Sequence, residues 1–124
     1  MFAAHRLDGT PKAADEFRVL VIGDSATWGT LLKPEETLAG QLDAAGLISA
    51  DGRRVRVYNL GYPTLSLVKD LMVLERAMSY QPDLILWRVT LESFPRDRQL
   101  ESPIVAHNPQ RVRQLIERYQ LAIT

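Results

Sequence analysis

The feature that most constrains the fold is an apolar run that ends abruptly in small polar residues. Residues 17–22 read FRVLVI, and Gly23, Asp24 and Ser25 follow them directly. A short run of this kind is typical of a buried strand, and the polar residues after it are typical of a tight loop. Open α/β sheets form their sites at the carboxyl ends of their strands, so Ser25 is the first candidate for a nucleophile.

Strands and helices are predicted to alternate along the rest of the chain. Strands are expected at 18–22, 55–60 and 84–89, with loops at 24–33 and 94–106. Helices are expected at 34–45, at 66–80 and after Asn108 and Pro109, which resemble a helix cap. Their predicted apolar faces carry Leu38 and Leu42, then Leu67, Leu71, Leu74 and Met78, then Val112, Leu115, Ile116 and Tyr119. This alternation predicts an α/β fold with a parallel sheet.

The length and composition limit the number of domains and the kinds of partner that the chain is expected to bind. A chain of 124 residues is expected to form one domain, here 17–124 after a loose N-terminal leader at 1–16. The net charge is zero, which gives no electrostatic case for nucleic acid, and no apolar run has membrane-spanning length. The absence of cysteine excludes thiolate catalysis and zinc–thiolate sites. Neither a metal nor a cofactor is predicted. The absence of cysteine leaves the compartment open, and residues 1–16 lack the apolar core of a signal peptide.

Three segments resemble the SGNH/GDSL hydrolases, a family of serine esterases, lipases and acylhydrolases. Residues 23–29, GDSATWG, resemble its first sequence block, and residues 59–66, NLGYPTLS, resemble its second. Residues 81–87, QPDLILW, resemble the approach to its third block. The resemblance implies a three-layer α/β/α sandwich with a flavodoxin-like parallel sheet, of which the chain holds about three or four strands. It also implies hydrolysis of a small-molecule, carbohydrate or lipid ester.

The resemblance implies roles for four residues. Ser25 takes the position of the nucleophile, and its backbone N–H that of an oxyanion donor, while Asp24 shapes the loop. The second oxyanion donor is a glycine N–H in the family, and that position holds Thr64 here. Gly61 matches an earlier glycine of the second block, and a tight turn at the end of the strand explains it equally well.

The chain departs from the family pattern at two further positions. Glu92 stands where the family has an asparagine that donates to the oxyanion. An ionised Glu92 opposes the transition state, a buried protonated Glu92 donates one hydrogen bond, and a Glu92 turned away leaves two backbone donors. The family's Asp-x-x-His motif, which supplies the base, does not occur. His107 is therefore the candidate base, with Asp97 as its candidate partner, and His5 lies in the leader.

Several functions remain open at this point. The first is a serine ester hydrolase of SGNH/GDSL type, incomplete or diverged, that attacks a carboxylic or O-acetyl ester through Ser25. The second is a catalytically inactive SGNH-like domain that binds a ligand or associates with protein, including self-association through an open edge at the third strand. A receiver-like signalling domain is a third reading, but only Asp24 supplies the acidic cluster it needs after the first strand. A dinucleotide site lacks its Gly-x-Gly-x-x-Gly fingerprint.

Overall fold

The computed structural model describes residues 7–9 and 11–122. Within these residues, three strands form one parallel sheet in the order β2-β1-β3, with β1 at Glu16–Ile22, β2 at Arg54–Asn59 and β3 at Leu84–Trp87. This arrangement confirms the predicted α/β fold with a parallel sheet. Because β1 is the central strand, the residues that follow it lie at the middle of the sheet's carboxyl edge.

Helices connect and follow the strands. They are α1 (Ser25–Trp28), α2 (Leu38–Ala44), α3 (Leu67–Met78), α4 (Pro103–Ala106) and α5 (Pro109–Tyr119). Short 3-10 turns lie at Pro34–Glu36, Leu91–Ser93 and Arg96–Arg98. The predicted loops at 24–33 and 94–106 are therefore wrong in part, because one contains α1 and the other contains a 3-10 turn and α4.

The predicted helix at 34–45 is divided at Thr37. This residue has an extended backbone (ψ 160°), and its hydroxyl accepts a hydrogen bond of 3.1 Å from the N–H of Gly40. A threonine in this role starts a new helix rather than continuing the previous turn. The buried residue of α2 is Ala39, whereas Leu38, predicted to face the core, is exposed.

The core lies on both faces of the sheet because successive β1 side chains point in opposite directions. Leu20 and Ile22 pack with Val73 and Ala77 of α3 on one face. On the other face, residues of β1 and β2 pack with α2 through a cluster formed by Val19, Val21, Ala39 and Val57. The central strand is thus buried on both sides, as its continuous apolar run predicts.

The buried side of α3 differs from the predicted one. Leu67, Leu71 and Leu74 are half-buried, and the Met78 side chain is 56% exposed. The buried apolar residues of α3 face two neighbours: Val73 and Ala77 pack against the sheet, and Val68 and Met72 pack against α4 and α5. Leu67, Leu71 and Leu74 lie at the border of this buried side, because α3 packs against two neighbours, the sheet and the pair α4 and α5.

The last helix and the third strand also differ in detail from the prediction. On α5, Leu115 is buried and Tyr119 is 54% exposed. The side chain of Asn108 does not cap α5, since its amide donates to the carbonyl of Ile104 at 2.8 Å instead. β3 ends at Trp87, two residues before the predicted end at Val89.

Part of the segment predicted as a loose leader contacts the domain. Leu7 is buried in the cluster that α3 forms with the sheet. Asp8 accepts hydrogen bonds from Arg76 and from the hydroxyl of Tyr80. These contacts attach the described residues of the segment to α3 and to the turn that follows it. His5 lies outside the described residues.

The two edges of the sheet differ. On β2, the N–H of Val55 donates to the carbonyl of Leu47, and the N–H of Val57 donates to the carboxylate of Asp43 at 2.8 Å. Among the described residues β3 pairs with β1 alone, and its Leu84 and Trp87 are 44% and 37% exposed. The described residues therefore cover the β2 edge and leave the β3 edge open.

Candidate functional site

Ser25 lies at the carboxyl edge of the sheet, where the sequence predicts it. It is the first residue of α1, which begins three residues after the last residue of β1. Its side chain is exposed, and neither its hydroxyl nor its backbone N–H has a hydrogen-bond partner within the described chain. An accessible hydroxyl and a free N–H are two of the features that a serine nucleophile needs, and a base that takes the hydroxyl proton is the third.

Two side chains hold α1 at its two ends. The carboxylate of Asp24, which is buried, accepts a hydrogen bond of 2.9 Å from the N–H of Ala26. At the other end, the amide nitrogen of Asn59 donates to the carbonyl of Thr27 at 2.7 Å. Asp24 therefore caps the turn that contains Ser25. Asn59, the last residue of β2, is a positioning residue to which the sequence assigned no role.

Gly61 lets the second segment of the site approach α1 closely. A Cβ atom at this position would lie 2.5 Å from the backbone nitrogen of Trp28. The N–H of Gly61 donates to the side-chain oxygen of Asn59 at 2.9 Å, so it is not free to bind an oxyanion. Of the two readings that the sequence left open for Gly61, the contacts support the structural one.

Thr64, the predicted second oxyanion donor, is engaged in two hydrogen bonds. Its N–H donates to the carbonyl of Tyr62 at 2.8 Å, and its hydroxyl donates to that of Ser102 at 3.0 Å. The second bond links the segment after β2 to the start of α4. For Thr64 to donate to an oxyanion, its N–H would have to leave the carbonyl of Tyr62.

Glu92 lies in the 3-10 turn Leu91–Ser93 that follows β3, and its side chain is exposed. The buried carboxylic acid that one sequence alternative requires is therefore not the state seen here. No hydrogen bond joins Glu92 to Ser25 within the described residues, which agrees with the alternative in which Glu92 turns away.

His107 lies at the end of α4 and is exposed. Its backbone N–H donates to the carbonyl of Pro103 at 3.0 Å. No hydrogen bond or ion pair joins its ring to Ser25 or to Asp97 in the part of the chain that the structure describes. The structure thus brings Asp24, Ser25 and Gly61 together around α1, and it does not join His107 to them.

A buried ion pair below the site was not predicted from the sequence. Lys69 and Asp70 are 0% and 2% exposed, and Lys69 Nζ donates to the carbonyl of Gly23 at 2.9 Å and to that of Tyr62 at 3.1 Å. Lys69 lies four and eight residues before Val73 and Ala77, on the same side of α3. A charged residue in register with buried apolar positions was the signal that could have identified it.

A cavity of about 470 Å³ adjoins the last residue of α1. It lies between α1, α2 and β2, and Trp28, Leu32, Val57 and Tyr58 contribute to its wall. Ser25 does not line it. The cavity is mostly apolar and open to solvent, which suits the non-reacting part of a small ligand.

Other kinds of site find no support among the described residues. No group of three or more histidine, aspartate or glutamate side chains is arranged to hold a metal ion there. None of the helices that the structure describes combines the length and the apolar character that crossing a bilayer requires. Comparison of the chain with models of known protein families gave no match, and comparison with curated proteins gave no match either.

Proposed function

We propose that this chain carries the nucleophile of a serine ester hydrolase of SGNH/GDSL type, with Ser25 as the attacking residue. One observation carries this assignment: Ser25 is exposed at the carboxyl end of the central strand, and its hydroxyl and N–H are both unengaged in the described structure. The parallel sheet order β2-β1-β3 fits the same family, whose three-layer sandwich is part of this proposal.

The chemistry assigned to Ser25 is acyl transfer in two steps. Its oxygen attacks the ester carbonyl carbon, its proton passes to a base, and the alcohol leaves with a proton as the ester C–O bond breaks. Water then cleaves the acyl-serine and releases the acid. His107 is the candidate base, and the candidate substrates are small-molecule, carbohydrate or lipid esters, including O-acetyl esters. The cavity beside Trp28 offers a place for the part of the substrate that does not react.

The oxyanion donors that are free in the structure indicate a weak enzyme. The N–H of Ser25 has no acceptor, whereas those of Gly61 and Thr64 are bonded to Asn59 and Tyr62. Because Glu92 also replaces the family's asparagine, two of the three donors are missing, and each missing donor lowers the rate by roughly 100- to 1000-fold. We therefore expect turnover of activated esters to be slow but measurable.

The direct test is hydrolysis of a chromogenic acetyl ester by the wild-type chain and by Ser25→Ala. We expect the serine-dependent rate to vanish in Ser25→Ala and to persist in Ser79→Ala, which removes an exposed serine at the end of α3. Equal rates in wild type and Ser25→Ala would overturn the assignment. His107→Gln tests the base: a pH profile unchanged by this substitution would remove His107 from the mechanism.

A second candidate function is association of two copies through β3. The observation that favours it is the difference between the sheet edges, because Asp43 and Leu47 cover β2 while no residue in the described part of the chain pairs with the outer side of β3. Unpaired strand edges with exposed apolar side chains are ready to pair with another strand. This function does not require Ser25 to react.

We expect wild-type protein to form dimers as its concentration rises, as measured by light scattering after size-exclusion chromatography. Leu84→Lys places a charge on the open edge and should abolish the dimer. Leu47→Lys is the matched control, since Leu47 has similar exposure (47% against 44%) but lies at the covered edge. A wild-type chain that stays monomeric at every concentration would contradict this function.

A further inference from the structure

Lys69 is the largest side chain that the described fold buries completely, and its surroundings are unusual for a lysine. Its ammonium nitrogen lies 2.9 Å from the carbonyl oxygen of Gly23, 3.1 Å from that of Tyr62 and 2.5 Å from Asp70 Oδ1. All three neighbours are acceptors. Lysine is almost never fully buried unless it is paired, so these contacts need an explanation.

The position of Lys69 is unfavourable on local grounds. It is the third residue of α3, where the helix dipole disfavours a positive charge, and burial removes the charge from water. Asp70 offsets both effects, and its second oxygen accepts a hydrogen bond of 3.0 Å from the indole N–H of Trp87. Asp70 Oδ1 has no well-aligned hydrogen bond in the described structure, so charge holds it to Lys69. Local rules broken in this way are typical of functional sites.

The two carbonyls that Lys69 contacts belong to the two segments of the candidate site. Gly23 immediately precedes Asp24 and Ser25, and Tyr62 follows Gly61, which packs on α1. The carbonyl of Gly23 also accepts a hydrogen bond of 3.0 Å from the N–H of Tyr62. Lys69 therefore adds a charged bond at the point where the two segments already meet.

We propose that Lys69 is a positioning residue of the serine site, whose ammonium group fixes the segment before Ser25 against the segment after β2. This role rests on the proposed function of Ser25 and deepens it. Lys69 is not assigned as the base, because its nitrogen is engaged by two carbonyls and a carboxylate and no hydrogen bond joins it to Ser25 within the described residues. Asp70 and Trp87 extend the arrangement to β3, so that the ends of all three strands are joined below the site.

The test compares two buried ion pairs at opposite ends of the sheet. Lys69→Met combined with Asp70→Asn removes the pair below the site without leaving an isolated charge. Arg18→Met combined with Glu16→Gln is the matched control, since Arg18 is 3% exposed, forms an ion pair with Glu16 and donates to the carbonyl of Tyr80 at 2.9 Å. That pair lies at the amino end of β1, away from Ser25.

The first readout is hydrogen exchange of the Tyr62 N–H, which is bonded to the carbonyl of Gly23. We expect exchange in segments 24–28 and 62–65 to rise by about tenfold or more in the Lys69 double variant and to be unchanged there in the control, because misplaced groups lose their aligned contacts. Lys69→Gln combined with Asp70→Asn keeps a hydrogen-bond donor at position 69 without leaving Asp70 as an isolated buried charge, and it should restore part of the protection. This variant also keeps the test informative if the Lys69→Met double variant does not fold.

The second readout is the rate of Ser25 modification by a fluorophosphonate, which should fall by about tenfold or more in the Lys69 double variant and by less than about twofold in the control. Unchanged exchange in both segments, or equal effects in the two double variants, would overturn the role of Lys69. If wild-type Ser25 is not modified, the proposed function fails, and the exchange data alone decide whether Lys69 positions these segments.

Discussion

At the scale of single residues, the candidate site depends on contacts that residue types alone do not reveal. Asn59 illustrates this, since its side chain accepts from the N–H of Gly61 and donates to the carbonyl of Thr27. It thereby joins the end of β2 to α1. The motif in the sequence identified Asn59 as part of a block, but its two contacts depend on how the blocks meet in space.

Gly61→Ala is expected to disturb both the fold and the serine. The added methyl group would lie 2.5 Å from the backbone nitrogen of Trp28, and overpacking of this kind costs about 1–3 kcal/mol. The backbone of α1 has to shift, so we expect modification of Ser25 to slow by about tenfold or more. Thermal unfolding and fluorophosphonate labelling measure the two effects.

Gly46→Ala is the control for this substitution. Nothing lies within 4 Å of an added Cβ there, and the positive φ of 64° makes alanine unfavourable by roughly 1–2 kcal/mol. Gly46 precedes β2, at the opposite end of the sheet from Ser25. A similar loss of stability with unchanged labelling is expected, and slowed labelling in Gly46→Ala would show that stability alone governs the serine.

At the scale of elements, the sequence predicted the strands better than the helices. The continuous apolar run of β1 identified a strand buried on both sides, and the structure agrees. The prediction of which side of α3 is buried was wrong. Periodicity assumes one buried face, whereas α3 packs against the sheet and also against α4 and α5. The same assumption concealed Lys69, whose charge is compatible with burial because Asp70 pairs with it and the carbonyls of Gly23 and Tyr62 accept from it.

Short helices were also not predicted by the sequence patterns. α1 and α4 have four residues each, too few to show a helical period. The N–H of Ala26 donates to the Asp24 carboxylate at the start of α1, and the carbonyl of Thr27 near its end accepts from Asn59, a residue distant in the sequence. The position of Ser25 was predicted, whereas the partners of Gly61, Thr64 and Glu92 depended on long-range packing.

At the scale of the whole molecule, Asp83 joins segments that are distant in the sequence. It accepts from the backbone N–H of Arg18 at 2.8 Å, from Arg53 at 3.0 Å and from Lys12, which lies 2.5 Å away. Burial acts to raise the pKa of Asp83, but the hydrogen bonds from Lys12, Arg18 and Arg53 outweigh it and lower this pKa to about 2 from 3.8. The charged form of Asp83 therefore stabilises the fold.

The sign of this shift fixes the expected pH dependence. Because the pKa of folded Asp83 lies below its ordinary value, its contribution is present above pH 3.8 and is lost as the pH falls toward 2. We expect Asp83→Asn to lower the free energy of unfolding by about 1 kcal/mol near neutral pH and by almost nothing near pH 2. Thermal unfolding across this pH range measures the difference.

Asp97→Asn is the matched control, because Asp97 is exposed in a 3-10 turn. Its effect on stability is expected to be small at every pH. A difference between wild type and Asp83→Asn that is the same at neutral and acidic pH would contradict the role assigned to the Asp83 carboxylate.

The proposed hydrolase function depends on Ser25 being an activated nucleophile. The most direct measurement is the mass of the intact chain after treatment with a fluorophosphonate, followed by peptide mapping of the adduct. We predict a single adduct on Ser25 that is absent from Ser25→Ala and present in Ser79→Ala. Folded wild-type protein that forms no adduct, or an adduct on another residue, would contradict the proposed hydrolase.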